Sequence, residues 1–513
     1  MRHRVPAWMR IAVVLVAVAL VAACSPAGGG PDGGDSTTTA ATGSESGDDT
    51  SADAADVPGR YDGPEIHAEP NLVGLKWSWD TLGTIVDDVA AVAGGSSFFE
   101  FEWCEAEPQP GTYEWTAVDD VVASTKRLGY TPMLKIRVGT CWVNGVADAQ
   151  SRGTENKKTA SKMPSDLDAY AKFVDTVVRR YTPMGVSKYA IENEVNAANF
   201  WDGTAEQYEI LLRRGAQAVH AASASAQVFD GGISSIGYGV AICAEMVAAG
   251  RAQEAVAYYQ AYYERRFVRK QFVFKPVANV AELQAVLDSR PAKRAVSFLN
   301  VTFKSAGLID GYQLHYYEQP RHLDTVLDFV HRGVATTRPG IPIEAWEVGL
   351  AWPGDSYDMK VAAVETAKLF GIGFGAGIRT MVYLPAAYRP GGLRPEEIWR
   401  GLWEPDGSPR PAAGTFAQVA SASSGDAVVT LPVSAKALRG VVFGHPGSSS
   451  TLLAWSTSDA EVALQVPGTV TAVRDSSGGD LDSSPPLRVG PDPVFVEAEV
   501  PPQVLAAAAG SSG

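Results

Sequence analysis

Between Asn71 and Leu384 the chain alternates, eight times over, a short apolar run with a stretch of helical spacing. The apolar runs lie at Asn71 to Leu75, Ser97 to Trp103, Thr131 to Val138, Tyr189 to Asn196, Gln227 to Gly231, Ile309 to His315, Ile341 to Val348 and Arg379 to Leu384. Strands separated by helices pair in parallel and are covered by those helices. Helical spacing is plain at Ile85 to Val92, at Ala117 to Leu128, and at Ser165 to Tyr181, where Ser165 or Asp166 is the cap. It recurs at Tyr208 to Ala222, His322 to Arg332 and Val361 to Phe370. Ser234 to Ala306 is too long for a simple crossover, and its tyrosines at 258, 259, 262 and 263 read as a helical insertion that shapes a cleft wall. Eight such units predict an α/β fold, a (β/α)8 TIM barrel over residues 61–424. An open doubly wound sheet is the alternative, but no GxGxxG follows the first strand.

After Gly425 the period changes to short alternating runs separated by Gly, Ser, Asp and Pro, which predicts a small C-terminal β-sandwich over 425–502. The Ala-, Gly- and Ser-rich end, 503–513, is expected to be disordered. At the other end, Arg2, Arg4 and Arg10 precede an apolar run from Ile11 to Ala23 that is short for a bilayer span. It closes on Val21-Ala22-Ala23-Cys24, which resembles the lipobox of bacterial lipoproteins. The resemblance implies a signal peptide over 1–23, lipidation of Cys24 and a protein on the outer face of the cell membrane, with plain secretion as the alternative. Residues 24–60 hold almost no large apolar side chain and read as a flexible tether.

Export places Cys104, Cys141 and Cys243 in an oxidising compartment. Cys104 and Cys141 each lie just past a predicted strand and are the favoured bridge; Cys243, in an apolar stretch, reads as a buried thiol. With no CxxC and no His–Cys cluster, neither a metal nor a cofactor is expected. A net charge of −15 argues against nucleic acid and anionic lipid as partners but leaves neutral sugars open. Membrane association would come only through the lipid anchor.

Two strands end in glutamate. Tyr189-Ala190-Ile191-Glu192-Asn193-Glu194 is the fourth, and Ile343-Glu344-Ala345-Trp346-Glu347-Val348-Gly349 the seventh. A carboxyl at the end of an apolar strand is costly unless something requires it, and barrel chemistry sits at the C-terminal ends of strands. Two carboxylates meeting across one cleft are the raw material of glycoside hydrolysis. Alternation places Glu344 and Glu347 on different faces, so Glu344 reads as structural.

Asn193-Glu194 with Trp346-Glu347-Val348-Gly349 resembles clan A of the retaining glycoside hydrolases. Glu107-Pro108-Gln109-Pro110-Gly111-Thr112-Tyr113-Glu114-Trp115 is similar to that clan's linker after its second strand. His315-Tyr316-Tyr317, the run from Gly401 to Ala412, and Pro493-Val494-Phe495-Val496-Glu497 match further clan segments. The resemblance implies a retaining glycoside hydrolase acting on β-linked oligosaccharides, polysaccharides or glycoconjugates. Glu194 would be the acid/base and Glu347 the nucleophile; Asn193 would contact the 2-hydroxyl, Tyr317 would bond the nucleophile and His315 would line the pocket. Trp103 and Tyr383 are the aromatic candidates for sugar contact, with Trp77, Trp79, Trp142, Trp201, Trp346, Trp352, Trp399 and Trp403 also at strand ends or in loops. The clan's arginine on the second strand is replaced here by Phe98 and its neighbours, and Arg137 is the candidate substitute. A sugar-binding lipoprotein without turnover, or a transglycosylase, would carry the same pattern.

Overall fold

The computed structural model describes residues 60–145, 159–268, 272–352, 357–387, 400–445 and 447–512. The leader, Cys24, the tether and Trp399 lie outside the described residues. Eight parallel strands form the barrel: β1 (Val73–Leu75), β2 (Ser96–Glu102), β3 (Thr131–Arg137), β4 (Lys188–Ile191), β5 (Gln227–Phe229), β6 (Tyr312–Tyr316), β7 (Ile343–Val348) and β8 (Met381–Tyr383). They pair in the orders β2-β3-β4-β5 and β1-β8-β7-β6. A parallel bridge between Phe229 and Gly311 joins the two sets on one side. On the other side β1 and β2 approach so closely that a Cβ on Gly95 would lie 1.6 Å from the Val73 carbonyl oxygen, so only glycine fits there.

Alternation along each strand makes two cores. Phe98, Met133, Ala190, Phe229, Trp346 and Val382 fill the barrel interior, while Leu134, Ile136, Tyr189 and Ile191 pack outward under the helices. The helix Leu167–Tyr181 shows how that outer layer is built. Its buried face is Tyr170, Phe173, Val174, Val177, Val178 and Tyr181, and Asp166 caps it by accepting from the amides of Asp168 and Ala169. Such a cap contributes about 1 kcal/mol.

One feature of β7 departs from simple alternation. Its register with β6 slips between Gln313 and His315, and with β8 between Ala345 and Val348, the signature of a β-bulge. The expected opposition of Glu344 and Glu347 is therefore corrected: both reach the interior, at opposite ends. Glu344 pairs with Lys188 Nζ at 2.6 Å and accepts from the indole of the interior Trp346 at 3.0 Å, at the N-terminal end. The bulge re-aims Glu347 into the C-terminal mouth.

The insertion after β5 folds as the helices Ile236–Ala248, Ala252–Tyr263, Val280–Leu287 and Arg290–Lys304. Three of its four tyrosines at 258–263 do not form a cleft wall. Tyr259, Tyr262 and Tyr263 are buried, and their hydroxyls donate to the carbonyls of Lys275, Ser235 and Ile236. Cys243 is a buried free thiol whose pKa burial pushes up to about 12.

The C-terminal region is antiparallel. A five-stranded sheet, ordered β13-β15-β11-β10-β9, is built from β9 (Val429–Ser434), β10 (Leu438–Gly444), β11 (Ser450–Ser456), β13 (Thr469–Asp475) and β15 (Val494–Glu499). A two-stranded ribbon of β12 (Val462–Leu464) with β14 (Leu487–Val489) shares its core. Val441, Phe443, Leu453, Trp455 and Phe495 on one sheet face pack against the barrel layer, where Phe374 meets Phe443 edge-on. The chain end is a correction: residues Pro502–Gly510 are helical rather than disordered. Proline sits in the first turn, alanines favour the helix, and Leu505 and Ala509, four apart, are fully buried. Among the described residues no helix is long and apolar enough to cross a membrane.

Candidate active site

At the end of β4 the backbone turns sharply through Glu192-Asn193-Glu194. Glu192 has φ of 70° and Glu194 of 39°, the left-handed region that non-glycine residues seldom occupy. Two such residues flanking Asn193 mark stored backbone strain, held by hydrogen bonds from the Glu192 amide to Ile136 O and from the Glu194 amide to Gly231 O. The segment that follows is stapled from the insertion. The Arg294 guanidinium, on the helix Arg290–Lys304, donates to the carbonyls of Val195, Asn196, Trp201 and Gly203 at 2.6–3.1 Å. The inserted helices thus fix the loop that carries Glu194.

Across the mouth, Glu347 is 7% exposed and held at both oxygens. Lys135 Nζ donates to Oε1 at 2.6 Å, and the Tyr317 hydroxyl donates to Oε2 at 2.7 Å. Burial works against ionisation, but the charges of His315 and Lys135 and the hydrogen bonds from Lys135 and Tyr317 outweigh it and hold the carboxyl below its ordinary value. Lys135 also donates to Asn193 Oδ1 at 2.7 Å, and its ammonium stands 4.2 Å from the centre of the Phe98 ring. With its oxygen committed to Lys135, Asn193 keeps only its NH₂ group as a further donor.

His315 links the carboxylates. Gln313 spends its amide N–H on Asp230 O at 2.6 Å, so its Oε1 accepts from His315 Nε2 at 2.6 Å. This network assigns a ring proton to Nε2. Nδ1 then faces Glu194 Oε1 at 3.3 Å and Glu347 Oε2 at 3.6 Å. A bond between Nδ1 and Glu194 needs a proton between them, carried by the ring or by the carboxyl. Behind the ring, Gly232 has φ of +68° and a Cβ there would lie 2.7 Å from His315 Nε2, so glycine is required for the imidazole to seat.

Single ligand atoms of Glu194, His315 and Glu347 lie within 4.8 Å of one another, close enough to hold a cation. An ion there would sit against an ammonium already 2.6 Å from Glu347 Oε1 and 3.2 Å from His315 Nε2. Lys135 occupies the electrostatic place a metal would take. One oxygen of Glu194 and one of Glu347 thus lie within 4.8 Å of each other across the mouth.

A second charged cluster lies one layer further along β3. Arg137 donates to Glu102 at 2.6 Å and Glu100 at 3.3 Å, lies 3.5 Å from Glu192, and bonds the carbonyls of Thr159 and Phe200. It does not reach Glu347, so the expected substitution by Arg137 is corrected: the cation at the second carboxylate is Lys135. Sequence reading missed Lys135 because Met133, Lys135 and Arg137 all point inward, and alternation does not say which level meets the mouth.

The aromatic expectations are also corrected. Trp103 is 1% exposed, stacked on Phe173, with its indole donating to Glu107 Oε2 at 2.5 Å. Glu107 also accepts from the Gly111 amide, which accounts for the Glu-Pro-x-Pro-Gly turn. Tyr383 is 2% exposed and packs outward on Phe370 and Phe416; Val382 is the interior residue of β8. Trp77, Trp201, Trp346, Trp352 and Trp403 are buried, and only Trp79 and Trp142 keep partial exposure among the described candidates. Cys104 and Cys141 are disulfide-bonded, Cα to Cα 5.9 Å, tying the loops after β2 and β3 together. Asn193, Glu194, His315, Tyr317 and Glu347 converge on one mouth.

No protein-family model and no curated protein sequence matches the chain. Solved structures do. A family 39 glycoside hydrolase from the gut symbiont Bacteroides cellulosilyticus aligns at 14% identity with a TM-score of 0.54, over 84% of this chain and 81% of that one. A GH39 β-xylosidase from Caulobacter crescentus aligns at 15% identity with a TM-score of 0.53, over 86% and 98%. At such identities the likeness is one of fold: a TIM barrel with an antiparallel C-terminal domain.

Proposed function

We propose that the chain is a retaining glycoside hydrolase acting on β-linked sugars. The observation that carries this reading is the asymmetry of two close carboxylates. Glu347 accepts from the Lys135 ammonium and the Tyr317 hydroxyl, while Glu194, 3.3 Å from His315 Nδ1, has no lysine or arginine beside it among the described residues. Glu347 attacks the anomeric carbon as the bond to the leaving oxygen breaks, and Glu194 gives that oxygen its proton. The Glu194 carboxylate then takes a proton from water, the water oxygen bonds to the anomeric carbon, and Glu347 departs as carboxylate. Asn193, in the position the clan resemblance gives to the 2-hydroxyl contact, addresses that hydroxyl with its NH₂ group. The β-xylosidase among the solved structures supports the substrate class by likeness alone.

The test is a panel of aryl β-glycosides with the full chain, following the first-formed anomer by proton NMR. Turnover with retained configuration, lost in Glu194→Ala and Glu347→Ala, is expected. Turnover that survives both substitutions contradicts the mechanism, and binding of sugars without turnover points instead to a carbohydrate-binding protein.

The same proposal places the enzyme outside the cell, anchored through Cys24. The Val21-Ala22-Ala23-Cys24 motif and the Cys104–Cys141 bridge, which persists in oxidising compartments, support it. Cys24→Ser should release the protein from membranes; unchanged attachment and processing would overturn the anchor.

A further inference from the structure

We propose that Lys135 is the positioning residue of the double displacement, holding Glu347 as a carboxylate and fixing the amide of Asn193 with the same ammonium. The inference rests on the glycosidase reading but adds a role that the sequence pattern assigned elsewhere. Three observations converge on it. Lys135 is fully buried, so its charge was removed from water at a cost that only strong partners offset. Those partners are Glu347 Oε1 at 2.6 Å, from β7, and Asn193 Oδ1 at 2.7 Å, from the turn after β4. The neighbouring strand offers no alternative cation, since β2 presents Phe98, whose ring lies against the ammonium, and Glu100, which bonds Arg137.

The chemistry follows. Glycosylation converts Glu347 from carboxylate to ester and leaves the ammonium without its counter-charge; deglycosylation restores the pair. Lys135 therefore stabilises Glu347 as the leaving group of the second step and keeps it unprotonated before the first. The groups facing Glu347 are Lys135 from β3, His315 from β6, Tyr317 just beyond it, and Glu194 from the β4 turn, with the Arg400 guanidinium over the Tyr317 ring, 5.0 Å from its centre. Removing Lys135 leaves no ammonium or guanidinium among the hydrogen-bond donors to Glu347 in the described residues.

Lys135→Met and Lys135→Arg test this in the full chain. For Lys135→Met, kcat on an aryl β-glycoside should fall about 10²–10³-fold. The acidic limb of its pH profile should move up by about one to three pH units, and Lys135→Arg should bring the limb back. A merely structural lysine would not move the limb. A second readout needs no turnover: the Glu347 side-chain carbon, assigned by difference from Glu347→Gln, is titrated by ¹³C NMR in both proteins. Titration at higher pH in Lys135→Met supports the assignment, and an unmoved titration overturns it. If the titration moves but no aryl glycoside is cleaved even by the unsubstituted chain, the glycosidase reading fails while the hold of Lys135 on Glu347 stands. Lys135→Gln replaces the methionine variant if that one does not fold.

Discussion

Lys135 and Arg137 sit two residues apart on β3, both pointing inward, both fully buried and both paired with carboxylates, one for Lys135 and three for Arg137, and those carboxylates shift in opposite directions. Arg137 serves Glu100, Glu102 and Glu192 with one guanidinium. Desolvation wins there: burial raises Glu102, and Glu192 is pushed up to about 7 despite Arg137 and the Val138 amide. At Glu347 burial is just as severe, but an ammonium, a phenol and an imidazole converge on one carboxylate and its pKa falls. The ratio of donors and positive charge to carboxylates decides the outcome, not depth alone. One cluster consequently locks loops together, and the other holds a carboxylate at the barrel mouth.

The substitutions that break this contrast range widely in effect. Glu347→Gln should lower kcat/KM on the order of 10⁴-fold or more, because it removes the reacting carboxylate while leaving an amide oxygen that can accept from Lys135. Arg137→Met should do the reverse in kind. It leaves buried carboxylates without their cation, and breaking such a pair costs about 3–5 kcal/mol, so thermal unfolding should show a large loss of stability. An Arg137→Met protein that melts normally but has lost activity would show the two clusters to be one. Arg294→Ala is intermediate: the Glu194 loop loses four carbonyl contacts, and a displacement near 1 Å can cost about 10²-fold in kcat. Steady-state kinetics beside circular dichroism would separate that from unfolding.

The smallest effect sharpens the contrast through pH. The Glu192 pKa is raised in the fold from 4.5 to about 7, so its contribution to stability is full below 4.5 and is lost as pH rises through about 7. Asp230, raised from 3.8 to about 7 by burial, acts in the same sense. Glu347, being depressed, contributes above its ordinary value and loses that contribution only on acidification. Glu192→Gln should therefore flatten the decline in melting temperature between pH 5 and 8, whereas Glu347→Gln should leave that slope alone. Differential scanning at the two pH values measures both.

Much of this architecture is legible in the chain because it rests on strong local contrasts. Glu194 and Glu347 stand out as carboxyls closing apolar strands, and the alternation of periods marks the barrel and the β-domain. What escaped detection depends on depth and phase. Lys135 and Arg137 share a strand face, and only the closed barrel shows which level meets Glu347. The three-residue β8 is too short to phase by alternation, so Val382 and Tyr383 exchange faces without any local sign. Trp103 begins a short helix directly after β2 and swings onto Phe173 instead of into the cleft. The bulge in β7 inserts no glycine or proline that would announce it. In the chain end, Leu505 and Ala509 suffice to seat a helix only because a finished sheet lies beneath them.

Covalent trapping tests directly whether Glu347 is the nucleophile. The chain is incubated with the 2-deoxy-2-fluoro dinitrophenyl analogue of an aryl β-glycoside it cleaves, then digested and mapped by mass spectrometry. The predicted result is a stoichiometric glycosyl adduct on the peptide bearing Glu347, which disappears in Glu347→Gln. An adduct on another residue, or inverted product with no adduct at all, would contradict it.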